Sequence, residues 1–248
     1  MTINIFVPKS YDELSHKQAK WLFRTLVNNP DMNSYEFKTI AFIRFSGLKV
    51  ITKCHDSGKY LVKLGKTIFS IEPEQLTSAV KHLDWILFPP KFPWCPKRLG
   101  SRKTPDPKLY ELNFGAWLAV DNLYQGYLQT QNPDLLQNIA AILLPWSFRK
   151  MRRWELEAVF RWVASVKDFY TARFSNFFSN TTDENALGKA APSATQIEDA
   201  MNAQIRALTK GDISKEAEIL NMPTLRALTE LNAQAREYQE LNRKTKAK

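Results

Sequence analysis

Aromatic side chains are confined to the first 178 residues of this chain. Twenty-nine of the thirty Trp, Phe and Tyr residues lie at or before Phe178, and Tyr238 alone lies beyond it. Aromatic residues bury the largest apolar areas in protein cores. The sequence therefore predicts a packed body over residues 1–178, a polar linker over 179–192 and a helical C-terminal module over 193–248.

Overall composition is that of a globular protein. The chain has 248 residues, of which 44% are hydrophobic and 24% charged. No stretch approaches the roughly 18 to 20 consecutive apolar residues of a membrane-spanning helix, and the first residues carry no basic region before an apolar run. Two cysteines, Cys54 and Cys95, are too few for a disulfide scaffold. We expect a cytoplasmic protein without membrane association.

Positive charge is concentrated in the predicted body. The net charge is +10, and the residues after 178 contain equal numbers of basic and acidic side chains, so the excess lies before them. Two basic runs stand out as candidate polyanion-binding residues: Lys97, Arg98, Arg102 and Lys103, and then Arg149, Lys150, Arg152 and Arg153. With Trp94 or Trp146 to stack on bases, these runs favour nucleic-acid binding. A solvated surface, or a basic loop that meets an acidic protein partner, is the alternative explanation.

The first half of the body carries helix and strand signals in turn. A capping box at Ser10–Glu13 predicts a helix over about 11–28, and Asn33 or Ser34 can cap a second helix that ends near Gly47. Two β-prone runs, 60–64 and 67–71, flank a Gly-Lys pair and predict a hairpin, with 49–53 as a third strand. Pro73 starts another helix. Six of the thirteen prolines lie within 88–108, which predicts a long, basic surface loop.

The remaining segments have helical periodicity. Asn113, Asn132-Pro133 and Arg152 are predicted to start three helices of the body. The fold class is therefore mainly α: a helical bundle with one small antiparallel hairpin or three-stranded sheet, plus a C-terminal helical arm.

The C-terminal module contains two amphipathic helices that need a surface to cover them. A second capping box at 193–196 opens the first helix, and Pro223 begins the last one. The apolar stripes are the candidate partner-binding residues: Ile197, Met201, Ile205, Leu208, Leu225, Leu228 and Leu231. These stripes must pack on each other, on the body or on another molecule.

The sequence contains no pattern that specifies a reaction. Cys54-His55, His82 and Cys95 lack the paired spacing of structural zinc sites. The eight glycines form neither a phosphate-binding loop nor a dinucleotide-binding fingerprint. We therefore predict a protein that is not an enzyme and has no catalytic residues, no metal and no cofactor.

Several short segments resemble structural and assembly proteins from the tail regions of bacteriophages and prophages. Pro8–Gln18 is similar to an opening P-x-S-W/Y-D/N-E-L-T/S-x-x-Q, and similar segments follow at Leu112–Gly115 with Tyr124–Tyr127, at Leu135–Leu144, and at Leu208–Lys215 leading to Leu225–Leu231. The resemblance implies a non-enzymatic morphogenesis protein of the host cytoplasm or the virion. Such a protein is a tail assembly chaperone that binds tape-measure or tube proteins, or a minor virion component.

Overall fold

The computed structural model describes residues 3–54, 58–100, 102–144, 150–179 and 194–246. Over these ranges the protein is mainly α with a small three-stranded antiparallel sheet, which confirms the predicted fold class. The chain divides into two compact units. Unit 1 contains Met1–Pro90 and Arg153–Ala158, and unit 2 contains Lys91–Arg152 and Val159–Lys248.

Unit 1 combines helices with the three-stranded sheet. Its helices are α1 (His16–Asn28), α2 (Ser34–Ser46) and α3 (Pro73–Lys81), and its strands are β1 (Lys49–Lys53), β2 (Tyr60–Leu64) and β3 (Thr67–Ile71). The strands are antiparallel in the order β1-β2-β3, so β2 is central and β1 and β3 are the edges. The register shifts between Val50 and Thr52, which leaves Ile51 as a bulged residue of β1.

Local signals explain most boundaries in unit 1. The Asn33 side chain accepts a hydrogen bond from the backbone N–H of Glu36, and Gly47 ends α2 at a φ of 73°, where a side chain would be strained. The predicted capping box at Ser10 is wrong. Ser10 makes no capping hydrogen bond, and residues 11–13 form one 3-10 turn. The box that caps α1 is Ser15 with Gln18, a Ser-x-x-Gln pattern five residues later.

The core of unit 1 is built from aromatic and aliphatic side chains of α1, α2 and the segment after α3. Leu22, Phe23 and Ile86 are fully buried. The Tyr11 ring meets the Trp85 ring edge-on at 4.9 Å between centroids, and the Tyr11 hydroxyl donates to the carbonyl oxygen of Phe88 at 2.8 Å. This arrangement ties the first 3-10 turn to the end of the unit.

Unit 2 is helical apart from one short hairpin. Its elements are β4 (Arg98–Leu99), β5 (Arg102–Lys103), α4 (Phe114–Thr130), α5 (Pro133–Leu143), α6 (Arg153–Arg173, whose first residues belong to unit 1), α7 (Ser175–Ser179), α8 (Ala194–Thr209), α9 (Glu216–Asn221) and α10 (Thr224–Lys246). Trp162 and Tyr170 of α6 are fully buried in its core. No helix within the described ranges combines the length and the apolarity needed to cross a bilayer.

The Pro-rich segment is more ordered than a surface loop. Where the sequence predicts irregular chain over 88–108, the structure has the β4–β5 hairpin, in which Leu99 of β4 is fully buried. The Trp162 indole N–H donates to the carbonyl oxygen of Pro107 at 2.7 Å, and the Tyr170 hydroxyl donates to that of Lys108 at 2.6 Å. Proline removes backbone donors but leaves carbonyl oxygens free, and here core aromatic residues satisfy them.

The C-terminal helices pack within unit 2. The backbone N–H of Phe177 donates to Asn232 Oδ1 at 3.1 Å, and Gln239 Nε2 donates to the carbonyl oxygen of Asn176 at 3.1 Å, so α7 holds α10. Leu228 of α10 is 1% exposed. Helices α8–α10 therefore supply core side chains to unit 2. Most of the predicted linker, residues 180–192, lies outside the described residues.

Candidate functional site

Unit 2 contains a groove of about 600 Å³ between the segment that precedes α4 and the C-terminal helices. Its apolar lining comes from Leu208, Ile219, Met222 and Leu225. Its remaining lining residues are polar, aromatic or small: Tyr110, Glu111, Lys210, Pro223, Arg226, Thr229, Glu230 and Gln234. A groove with an apolar floor and a polar rim is the general form of a surface that binds a polypeptide.

Backbone pairing between distant segments builds this groove. The N–H of Phe114 donates to the carbonyl oxygen of Met222 at 2.8 Å. The N–H and the hydroxyl of Thr224 both donate to the carbonyl oxygen of Leu112, at 2.8 and 2.6 Å, and Thr224 is fully buried. These bonds join the start of α4 to the start of α10 and fix the groove walls in place.

A glycine allows α9 to approach α4 closely. A Cβ atom on Gly115 would lie 3.3 Å from the Leu220 Cβ and 3.4 Å from the Leu220 carbonyl oxygen. Both atoms are fixed by the backbone of α9, so a side chain at 115 would push α9 away. Ile219 and Met222 lie one and two residues from Leu220 and line the groove. The close packing that Gly115 allows therefore positions the apolar floor of the groove.

The charged side chains at the groove are available to a ligand. Glu111, Lys210, Arg226 and Glu230 are exposed, and none of the four has an ion-pair partner among the described residues. Glu230 accepts one hydrogen bond from Gln234 at 3.3 Å. Two cations and two anions beside an apolar floor match a polypeptide segment of mixed charge better than they match a polyanion.

Tyr110 is held rigidly at the groove. The Arg173 guanidinium lies 5.5 Å from the centroid of its ring and donates from Nη1 to its hydroxyl at 3.0 Å. The Lys108 ammonium lies 5.5 Å from the same centroid. Cation–π contacts of this kind restrict the orientation of the ring. They do not cover it fully, and Tyr110 remains half-buried.

The predicted partner-binding residues do not form one surface. Leu208 and Leu225 line the groove, whereas Leu228 and Leu231 are buried in unit 2. Ile197, Met201 and Ile205 are half-buried along α8, and Ile205 borders a separate depression of about 430 Å³. Sequence periodicity identified two lining residues but missed Tyr110, Ile219 and Met222, because no helical stripe joins them to α10.

Arg98, Arg102 and Lys103 lie in the β4–β5 hairpin, and Lys97 directly precedes β4. Arg98 pairs directly with Lys103 across the two strands, and both side chains are exposed. The Thr104 hydroxyl donates to the carbonyl oxygen of Pro96 at 2.7 Å and closes the base of the hairpin. Like charges opposite each other in a sheet repel, so this pair is destabilising until an anion neutralises it.

The second basic run lies partly within the described residues. Arg149 and Trp146 lie outside the described residues, Lys150 is 3.9 Å from Asp134, and Arg152 and Arg153 are exposed. Arg152 belongs to unit 2 and Arg153 to unit 1. The structure thus brings together Lys97, Arg98, Arg102 and Lys103 at one hairpin.

The two cysteines have different surroundings. Cys54 is exposed after β1, and Cys95 is buried in unit 2. Burial raises the pKa of the Cys95 thiol to about 11, a shift that a hydrogen bond with Thr104 opposes. Within the described parts of the chain, no cluster of three or more His, Cys, Asp or Glu side chains could hold a metal ion.

Comparisons with protein-family models, with curated proteins and with solved structures found no match for this chain.

Proposed function

We propose that the protein is a non-enzymatic binding factor that holds a polypeptide segment of a partner in the groove of unit 2. The groove itself is the observation that carries this proposal: an apolar floor of Leu208, Ile219 and Leu225 lies beside charges of both signs without ion-pair partners. Apolar contacts supply affinity in such a site, and the charged rim selects the partner and its orientation.

The resemblance to phage tail-region proteins supplies the proposed biological setting. In that setting the partner is a tape-measure protein or a tail tube subunit, and the protein acts in virion assembly as a tail assembly chaperone or a minor virion component. The segments that carry the resemblance include Leu208–Lys215 and Leu225–Leu231, and Leu208 and Leu225 line the groove.

Co-purification with defined candidates tests the proposal. The full chain is co-expressed with the tail tube protein or the tape-measure protein encoded in the same genome, and the complex is captured through a tag on the chain. We expect Leu225→Asp to lower recovery of the partner at least tenfold, because it places a carboxylate on the apolar floor. Leu241→Asp on the exposed end of α10 is the matched control and should leave recovery unchanged. Equal recovery with both variants contradicts the use of the groove.

Polyanion binding is a second candidate function, and the pairing of Arg98 with Lys103 is the observation that favours it. Neutralising phosphates releases counterions, so affinity should fall steeply as salt rises. We expect Arg98→Ala with Lys103→Ala to weaken binding to a single-stranded oligonucleotide and to reduce the slope of log K against log salt by about 1.4. Lys17→Ala with Lys81→Ala in unit 1 is the charge-matched control. Absence of salt-sensitive binding at low ionic strength removes this candidate.

A further inference from the structure

The outer edge of β1 is an open strand edge in unit 1. β1 pairs with β2 on one side, and no strand among the described residues pairs with its other side. All five of its side chains are exposed, including Val50 at 46% and Ile51 at 50%. An open edge offers backbone N–H and C=O groups in the spacing that another extended strand satisfies.

The two faces beside this edge differ in chemistry. On the helix-covered face, Val50 borders an apolar cleft of about 90 Å³ that is also lined by Phe42, Val62 and Leu76. On the opposite face, Lys49 stands directly across from Lys63. A strand that pairs with β1 would place alternate side chains on these two faces.

Lys49 and Lys63 lie opposite each other in this sheet. Side chains opposite each other in adjacent strands have Cβ atoms about 5 Å apart, so the charges of Lys49 and Lys63 repel. Neither lysine has a carboxylate partner among the described residues, whereas Lys59 of the same sheet region pairs with Glu72 at 2.7 Å. Lys53, at the other end of β1, is likewise without a carboxylate and lies over the Tyr60 ring.

We propose that the edge of β1 binds an extended acidic segment of another protein, in which acidic and apolar residues alternate. Backbone hydrogen bonds to β1 supply the pairing, the apolar side chains cover Val50 and its cleft, and the carboxylates neutralise Lys49 and Lys63. A second copy of this chain is excluded as the occupant, because pairing two β1 strands would bring their lysines together. This site lies in unit 1 and is independent of the groove in unit 2.

A synthetic peptide tests the proposal with the unaltered full chain. The probe is a fluorescent seven-residue peptide of alternating glutamate and valine, and its binding is measured by fluorescence anisotropy at two salt concentrations. One control peptide has alternate backbone amides methylated, which blocks strand pairing but keeps every side chain. A second control peptide has lysine in place of glutamate. We expect the probe to bind in a salt-sensitive manner, both control peptides to bind at least tenfold more weakly, and amide exchange of residues 49–53 to slow when the probe is present.

Charge reversal on the protein gives the complementary test. The double substitution Lys49→Glu with Lys63→Glu should weaken binding of the glutamate probe by about tenfold or more. The protein should then bind the lysine peptide more tightly than the glutamate probe. Lys17→Glu with Lys81→Glu, on exposed positions of α1 and α3, should leave the preference unchanged. The proposal is overturned by absence of binding at millimolar probe, or by equal binding of the methylated peptide. Because Leu225 belongs to unit 2, Leu225→Asp should leave probe binding to unit 1 intact whatever happens at the groove.

Discussion

At the scale of single residues, buried polar side chains of unit 2 determine how the Pro-rich segment is held. Trp162 and Tyr170 donate to the carbonyl oxygens of Pro107 and Lys108, and Thr104 donates to that of Pro96. Each of these donors and acceptors would be costly to bury alone. The Cys95 thiol lies in the same environment, buried and neutral at physiological pH.

The raised pKa of Cys95 predicts a pH dependence of stability. The thiol ionises near pH 9 in the unfolded chain but at about 11 in the folded protein. Folding must therefore reprotonate it at high pH, and stability is lost as pH rises from about 9 towards 11. We expect Cys95→Ala to reduce the loss of unfolding free energy between pH 8 and pH 10.5 by about 2 kcal/mol, measured by urea denaturation. Cys54→Ala, which removes the exposed thiol, should lose as much unfolding free energy over this pH range as the parent protein. If the Cys95→Ala variant and the parent protein lose the same unfolding free energy between pH 8 and pH 10.5, folding does not raise the pKa of this thiol.

At the scale of elements, boundaries with a local signal could be predicted and long-range packing could not. Asn33 and Gly47 bound α2 because capping and left-handed backbone depend on single residues. The pairing of Leu112 with Thr224 joins residues 112 positions apart, and no periodicity in either segment indicates it. Periodicity predicts the amphipathic helices of the C-terminal module, but it does not show that Leu228 and Leu231 of α10 are buried in unit 2. The concentration of basic residues over 97–103 is evident from the sequence, but the strand register of the β4–β5 hairpin is not.

The two helix-packing glycines of α4 offer a matched test of this close packing. At Gly115 an added Cβ meets atoms fixed by the backbone of α9, whereas at Gly126 it meets only the Leu135 Cδ1, the end of a flexible side chain, at 3.2 Å. We expect Gly115→Ala to lower the free energy of unfolding by about 1 kcal/mol. Gly126→Ala should be neutral or stabilising by up to about 1 kcal/mol, because alanine favours a helix. Chemical denaturation measures both, and the reverse order would mean that α9 can move freely away from α4.

At the scale of the whole molecule, the C-terminal helices serve both stability and the candidate site. Leu228 and Leu231 are buried in unit 2, while Leu208, Ile219 and Leu225 line the groove. Past Gln239, the end of α10 is exposed, with Leu241 at 63%. Composition predicts an aromatic body followed by an aliphatic C-terminal module. In the structure, hydrogen bonds between the start of α4 and the start of α10 join the two segments within unit 2.

Two truncations separate these contributions. Removing residues 194–248 should unfold unit 2 and cause aggregation, because it exposes the apolar surfaces that α8, α9 and α10 cover. Removing residues 242–248 alone should leave the melting temperature within about 2 °C of the parent value, since this end of α10 is exposed. A soluble, cooperatively folded 1–193 fragment would contradict the assignment of these helices to the core of unit 2.

The central claim is that a partner polypeptide occupies the groove of unit 2, and site-specific photo-crosslinking tests it most directly. A photo-reactive amino acid is placed at Leu225 in the groove or, as control, at Leu241 beyond it, and each full-length variant is irradiated with the co-expressed tube or tape-measure protein. The account predicts a crosslink from position 225 to one short segment of the partner and none from position 241. A crosslink from position 241 without one from position 225 would contradict it.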